Sequence, residues 1–88
     1  MKTRPCVVIS PNELNDYLNT VIIIPLTSTI REYPFRSQCV VAGQKGELAV
    51  DQIRTVDKLR LKTSKPLGRL TVDEIKQLKY IIYKMFCQ

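Results

Sequence analysis

The run Val21-Ile22-Ile23-Ile24 ends abruptly at Pro25, and that ending limits the folds open to the chain. β-Branched residues favour a buried, pleated strand, and proline, with no backbone N–H, stops a ladder and cannot continue a helix. A bilayer-spanning helix needs about 18–20 consecutive apolar residues, so the run reads as a short buried strand from Val21 to Leu26. Pro5-Cys6-Val7-Val8-Ile9-Ser10 repeats the pattern and stops at Pro11. Residues 11–20, polar and rich in Asn, read as a loop between the two strands. With no signal-peptide apolar region at the N-terminus, a cytoplasmic protein with no membrane segment is expected.

Three further strands follow. One covers Arg36 to Ala42, and Gly43-Gln44-Lys45-Gly46 supplies the glycines of a turn into the next, which runs from Glu47 through Val56, giving an antiparallel hairpin. Lys58-Leu59-Arg60-Leu61-Lys62 alternates with period two, the pattern of a strand with an apolar face inward and a basic face outward. Lys65 and Arg69 extend that basic patch, and no acid occurs between 58 and 69.

The periodicity then changes. Thr71-Val72-Asp73-Glu74 is a capping box, in which the Thr hydroxyl accepts the amide of the third helical residue and the Glu side chain reaches back to the cap amide. Downstream, Ile75, Leu78, Ile82 and Met85 recur at helical spacing, joined by Ile81 and Phe86, while Lys76, Lys79 and Lys84 lie mostly off that stripe. The expected architecture is mainly β with a C-terminal helix: a small, strongly bent antiparallel sheet or half-open barrel covered by the helix. All 88 residues read as one domain. A chain so short buries only about 60–65% of its unfolded surface, so association with a partner adds to stability.

Charge narrows the partners. Fourteen Lys and Arg against eight Asp and Glu give a net charge of +6, which attracts polyanions, either nucleic acid or an acidic protein. Cys6, Cys39 and Cys87 are odd in number and far apart, with no C-x-x-C pair and no His to complete a zinc site. They read as buried free thiols, and neither a metal nor another cofactor is expected.

Five segments occur in one order: Arg4-Pro5 with the strand after it, Ile24-Pro25-Leu26-Thr27-Ser28, Tyr33-Pro34-Phe35, Asp51-Gln52-Ile53-Arg54-Thr55-Val56-Asp57, and Gly68-Arg69-Leu70 before the final helix. Together they resemble the MazF/PemK/Kid family of toxins from type II toxin–antitoxin systems, over nearly the whole chain. The resemblance implies an SH3-like small β-barrel, usually a homodimer, with single-stranded RNA in a positively charged groove between subunits. It also implies sequence-specific, metal-independent cleavage of mRNA by attack of a 2′-hydroxyl on the neighbouring phosphate. Members of the family open with another strand and a loop, whereas only Met1-Lys2-Thr3 precedes Arg4, so the barrel is expected to be incomplete on its N-terminal side, with sheet-edge groups unpaired and a smaller groove.

Such a reaction needs a proton acceptor, a positioned phosphate and stabilisation of the pentacoordinate oxyanion. By resemblance, Arg4 grips the phosphate, the Thr27 hydroxyl donates to one of its oxygens with Ser28 beside it, and Asp51 corresponds to the general base of some members. In those members an Arg stands two residues before the base; that position is Ala49 here. Tyr33 or Phe35 would stack on a base, Gln52 and Arg54 are RNA-facing candidates, and Lys58, Arg60 and Lys62 would follow phosphates. The plainer alternatives are a Thr27 hydroxyl bonded to nearby backbone, loop-satisfying roles for Asp51 and Gln52, an Arg54–Asp57 pair, core aromatics and a merely solvated basic face. An antitoxin with a disordered acidic segment is the implied protein partner. Two rival functions stay open: a non-catalytic module of the same fold that binds the antitoxin, and a gyrase poison like CcdB, for which Phe86-Cys87-Gln88 carries no signal.

Overall fold

Strand β2, Thr20–Thr27, is the axis on which the other strands assemble in the computed structural model, which describes residues 5–41, 43–61 and 68–87. Strand β1 (Cys6–Val8) pairs with it antiparallel along one edge, Val7 opposite Ile24. The helical turn α1 (Asn12–Asn15) links the two, so the expected loop at 11–20 contains one turn of helix. Ser10 and Asn15 fasten it: the Asn15 amide donates to the Ser10 carbonyl at 3.0 Å, and the Ser10 hydroxyl accepts from the Ile22 N–H at 3.1 Å.

The hairpin is formed by β3 (Arg36–Val41) and β4 (Gln44–Ala49), with Arg36 opposite Ala49 and Val41 opposite Gln44. Gly43, at a φ of 78°, takes the left-handed turn position. Gly46 is not part of the turn; it lies inside β4, where a Cβ would stand 2.9 Å from Leu26 Cδ1 and 3.2 Å from the Thr27 carbonyl oxygen. Glycine there lets β4 approach the end of β2.

The strand expected from Glu47 through Val56 is broken in two. Strand β4 pairs Leu48 with Leu26, and β5 (Arg54–Asp57) pairs Arg54 with Ile23, so the β4–β5 side advances six residues while β2 advances three. The surplus forms a 3₁₀ turn, Val50–Gln52, that buries Val50 and lifts Asp51 and Gln52 out of the sheet. The result is a five-stranded antiparallel sheet of order β1-β2-β4-β3, with β5 also on β2, curled into a half-barrel.

Lys58-Leu59-Arg60 is a second 3₁₀ turn and not a strand, because the Asp57 carboxylate accepts the Leu59 N–H at 2.9 Å and ends β5. Leu59 is consequently 91% exposed, and the inward apolar face expected of the alternation does not form. Lys62 and Lys65 lie outside the described residues.

Helix α2, Val72–Phe86, starts at the expected capping box: the Thr71 hydroxyl accepts from the Glu74 N–H at 3.1 Å, and Glu74 accepts from the Thr71 N–H at 2.8 Å. The other Glu74 oxygen accepts the Val40 N–H of β3 at 2.8 Å, so the cap also ties the helix to the sheet. Leu78 is buried and Ile81, Ile82 and Met85 are half-buried against Ile24, Cys39, Leu48 and Val50. Each such side chain contributes about 1.5–3 kcal/mol when fully withdrawn from water. Ile75 and Phe86, expected on the same stripe, are exposed, as is Cys87, while Cys6 is only half-buried. No helix among the described residues is long and apolar enough to cross a membrane.

Candidate functional site

Thr27 closes β2 directly opposite Glu47. Its hydroxyl oxygen accepts the Thr29 N–H at 3.1 Å, a side-chain turn that leads the chain out of the strand and leaves the hydroxyl hydrogen to donate elsewhere. The connecting segment, residues 28–35, carries left-handed backbone at Glu32 (φ 55°) and Phe35 (φ 62°). That conformation costs a non-glycine residue about 1–2 kcal/mol, so other contacts must hold it.

Glu47 holds it. This carboxylate is fully buried and accepts from the Glu32 N–H at 3.0 Å, the Arg31 N–H at 3.4 Å and Arg36 Nη1 at 3.2 Å. Three donors, one of them charged, offset the cost of taking the carboxylate out of water. Arg36 in turn reaches Asp51, Nε to Oδ1 at 2.8 Å and Nη2 to Oδ2 at 3.4 Å. The hydrogen bond to Asp51 raises the Arg36 guanidinium further above its ordinary pKa; partial burial opposes this, and the charges of Asp51 and Glu47 assist it. Asp51 therefore has a guanidinium partner although position 49 is Ala: Arg36 supplies it from the strand position directly opposite Ala49.

These groups border an open cleft of about 280 Å³ lined by Pro25, Leu26, Thr27, Thr29, Arg31, Tyr33, Arg36, Ala49 and Gln52. Among the described residues two arginines line it and no acidic side chain does. Tyr33 is half exposed, with the Arg36 guanidinium 5.4 Å from its ring centre, which fixes the ring at the cleft wall.

Of the expected site residues, Thr27, Tyr33 and Gln52 meet in this cleft, and Asp51 stands at its border through Arg36. Ser28 and Phe35 belong to the same connecting segment but do not line it. Arg54 is exposed on β5, and no ion pair with Asp57 is formed among the described residues. The Lys58 N–H donates to the Asn19 carbonyl at 2.9 Å, which places Lys58 and Arg60 at the start of β2, about 23 Å along the strand from Thr27. Arg4 lies outside the described residues. Arg31, Arg36 and Glu47 were not singled out from the sequence; the Arg36-to-Asp51 contact follows from the hairpin register, which a turn placed at 42–43 would have revealed.

Burial pushes the Cys39 thiol up, assisted by the Glu74 charge, and it pushes Cys6 up against the opposing charge of Arg54. Neither is a ready nucleophile. Among the described residues no group of His, Cys, Asp and Glu side chains could hold a metal ion.

Residues 1–86 match the family model of the PemK-like, MazF-like toxin of type II toxin–antitoxin systems. No curated protein sequence matches the chain closely enough to count as a relative. Among solved structures it is similar to the Mycobacterium tuberculosis toxin MazF-mt6, at a TM-score of 0.81 and 20% identity over 94% of this chain and 85% of that one. The MazE–MazF pair of Deinococcus radiodurans gives a TM-score of 0.82 at 22% identity, over 97% and 83%. An endoribonuclease in complex with its cognate antitoxin from Mycobacterial species gives 0.78 at 23%, over 92% and 78%. At these identities the likeness is one of fold.

Proposed function

The chain belongs to the PemK-like, MazF-like toxin family of type II toxin–antitoxin systems, and from that premise we propose that it is an endoribonuclease cleaving single-stranded RNA at the Thr27 cleft. The observation that carries the reading is the meeting, at one strand end, of a hydroxyl with a hydrogen to donate, two guanidinium groups, an amide and an aromatic ring.

A phosphodiester fits that set. Arg4 and Thr27 hold the scissile phosphate and stabilise the charge that builds on its oxygens. Asp51 accepts the proton of the adjacent 2′-hydroxyl as that oxygen bonds to phosphorus. The bond from phosphorus to the 5′-oxygen breaks, the departing oxygen takes a proton from solvent, and a 2′,3′-cyclic phosphate and a 5′-hydroxyl remain. Tyr33, with Phe35 near it, offers a stacking face, Gln52 and Ser28 offer hydrogen bonds, and Arg54, Lys58, Arg60 and Lys62 add positive charge that attracts the RNA backbone. The working unit is a homodimer, and an acidic antitoxin covers the groove; antitoxin complexes among the similar structures support the second point.

The test is incubation of purified protein with single-stranded RNA in chelator. The reading expects 2′,3′-cyclic phosphate ends, lost in an Arg4→Ala, Thr27→Ala double variant. Unchanged cleavage by that variant refutes the site. No cleavage by the pure wild-type protein, with retained capture of an acidic peptide, refutes the nuclease and leaves an antitoxin-binding module.

A further inference from the structure

We propose that Arg36 is the core of an anion-binding site for a substrate phosphate, and that Asp51 occupies it in the free protein as a displaceable internal anion. The inference rests on the cleft being where RNA binds.

The two carboxylates on Arg36 are not equivalent. Glu47 has a side chain 0% exposed and engages only Nη1, while also holding two backbone amides of the connecting segment. Asp51 has a side chain 43% exposed, sits on a 3₁₀ turn outside the sheet, and takes the Nε and Nη2 edge of the guanidinium. That edge is the fork whose geometry fits a carboxylate and a phosphate equally well. Glu47 is thus a fixed anchor that keeps Arg36 in place whichever anion fills the fork, whereas Asp51 can turn into water at little cost.

The surroundings favour a phosphate. Arg36 lines the cleft with Thr27, Thr29, Arg31 and Gln52, a second guanidinium and further hydrogen-bonding groups, and Asp51 is not part of that lining. With Asp51 in the fork, the Arg36 side chain is only 9% exposed, so its charge is largely spent inside the protein. A phosphate that takes the fork regains that charge and releases the Asp51 carboxylate at the border of the cleft. Binding of the phosphate and liberation of a proton acceptor become one event.

The probe is a fluorescent, mixed-sequence single-stranded oligonucleotide with 2′-deoxyribose throughout, which lacks the attacking hydroxyl and cannot be cleaved. Removing the internal competitor in Asp51→Asn tightens its binding about two- to five-fold, the factor that corresponds to an exposed ion pair. Asp16→Asn, which removes an equal charge from the exposed end of α1, changes binding less. In an Arg36→Lys background, which keeps a cation for Glu47 but loses the fork, Asp51→Asn brings no gain. The proposal is overturned if Asp51→Asn binds no tighter than wild type, if Asp16→Asn matches its gain, if the gain survives Arg36→Lys, or if neither wild type nor Asp51→Asn binds the oligonucleotide. Cleavage of ordinary RNA is scored separately: binding results as stated without cleavage by wild type defeat the nuclease reading and leave the anion site standing, and cleavage without tightening in Asp51→Asn does the reverse.

Discussion

Glu47 and Arg36 form an ion pair, Oε1 to Nη1 at 3.2 Å, between a carboxylate with no exposed surface and a guanidinium side chain that is 9% exposed. The pair sits where β4, β3 and the segment between β2 and β3 meet, so it couples the stability of the hairpin to the shape of the cleft.

Glu47→Ala therefore leaves Arg36 partly buried with one partner gone and two backbone amides unsatisfied. A loss of about 3–5 kcal/mol is expected, a large share of the stability of a domain this size. Urea unfolding measures it, and a loss below about 1 kcal/mol, the scale of a surface pair, would show the pair to be energetically ordinary.

Glu74 carries a pH-dependent share of stability. Its carboxylate accepts the Thr71 and Val40 N–H groups, and those backbone bonds lower its pKa from the ordinary 4.5 despite some desolvation. A lowered folded-state pKa means stability present above the ordinary value and lost as pH falls through the lower folded value. Glu74→Ala should cost about 1 kcal/mol at neutral pH, as other cap deletions do, and the difference from wild type should shrink below about pH 4.5. Unfolding curves at neutral and acid pH decide it.

Gly46→Ala places a methyl 2.9 Å from Leu26 Cδ1 and 3.2 Å from the Thr27 carbonyl oxygen. Leu26 can yield, but the Thr27 backbone must move with it. A stability loss of about 1–3 kcal/mol is expected, with a fall in RNA cleavage greater than unfolding explains.

Ser37 is fully buried and its hydroxyl has no hydrogen-bond partner among the described residues. Ser37→Ala removes an unsatisfied polar group, so thermal unfolding should show no loss and a gain of up to about 1 kcal/mol.

How much was legible depends on how local the cause is. Thr71 and Glu74 recognise each other three residues apart, and the helix begins where the sequence places it. Pro25 does not interrupt β2 because it stands opposite Cys6 near the end of the β1 pairing, while its neighbour Leu26 supplies the N–H that bonds to the Pro5 carbonyl. The alternation at 58–62 misled, since one carboxylate, Asp57, turns the chain before its apolar face can dock. The 3₁₀ turn at 50–52 was hidden because it arises from a mismatch of register against β2, far away in sequence. In the same way the motif pointed to Thr27 and Asp51, but the Arg36 and Glu47 that organise them required knowing that residue 36 faces residue 49.

The most direct test of the central claim compares wild type, Thr27→Ser and Thr27→Val on single-stranded RNA in chelator, with folding checked by unfolding curves. Thr27→Ser keeps the donor hydroxyl and should stay within about ten-fold of wild type, whereas Thr27→Val should lose about 10²–10³ in rate while remaining folded. Equal cleavage by all three, or by none, would contradict a ribonuclease centred on Thr27.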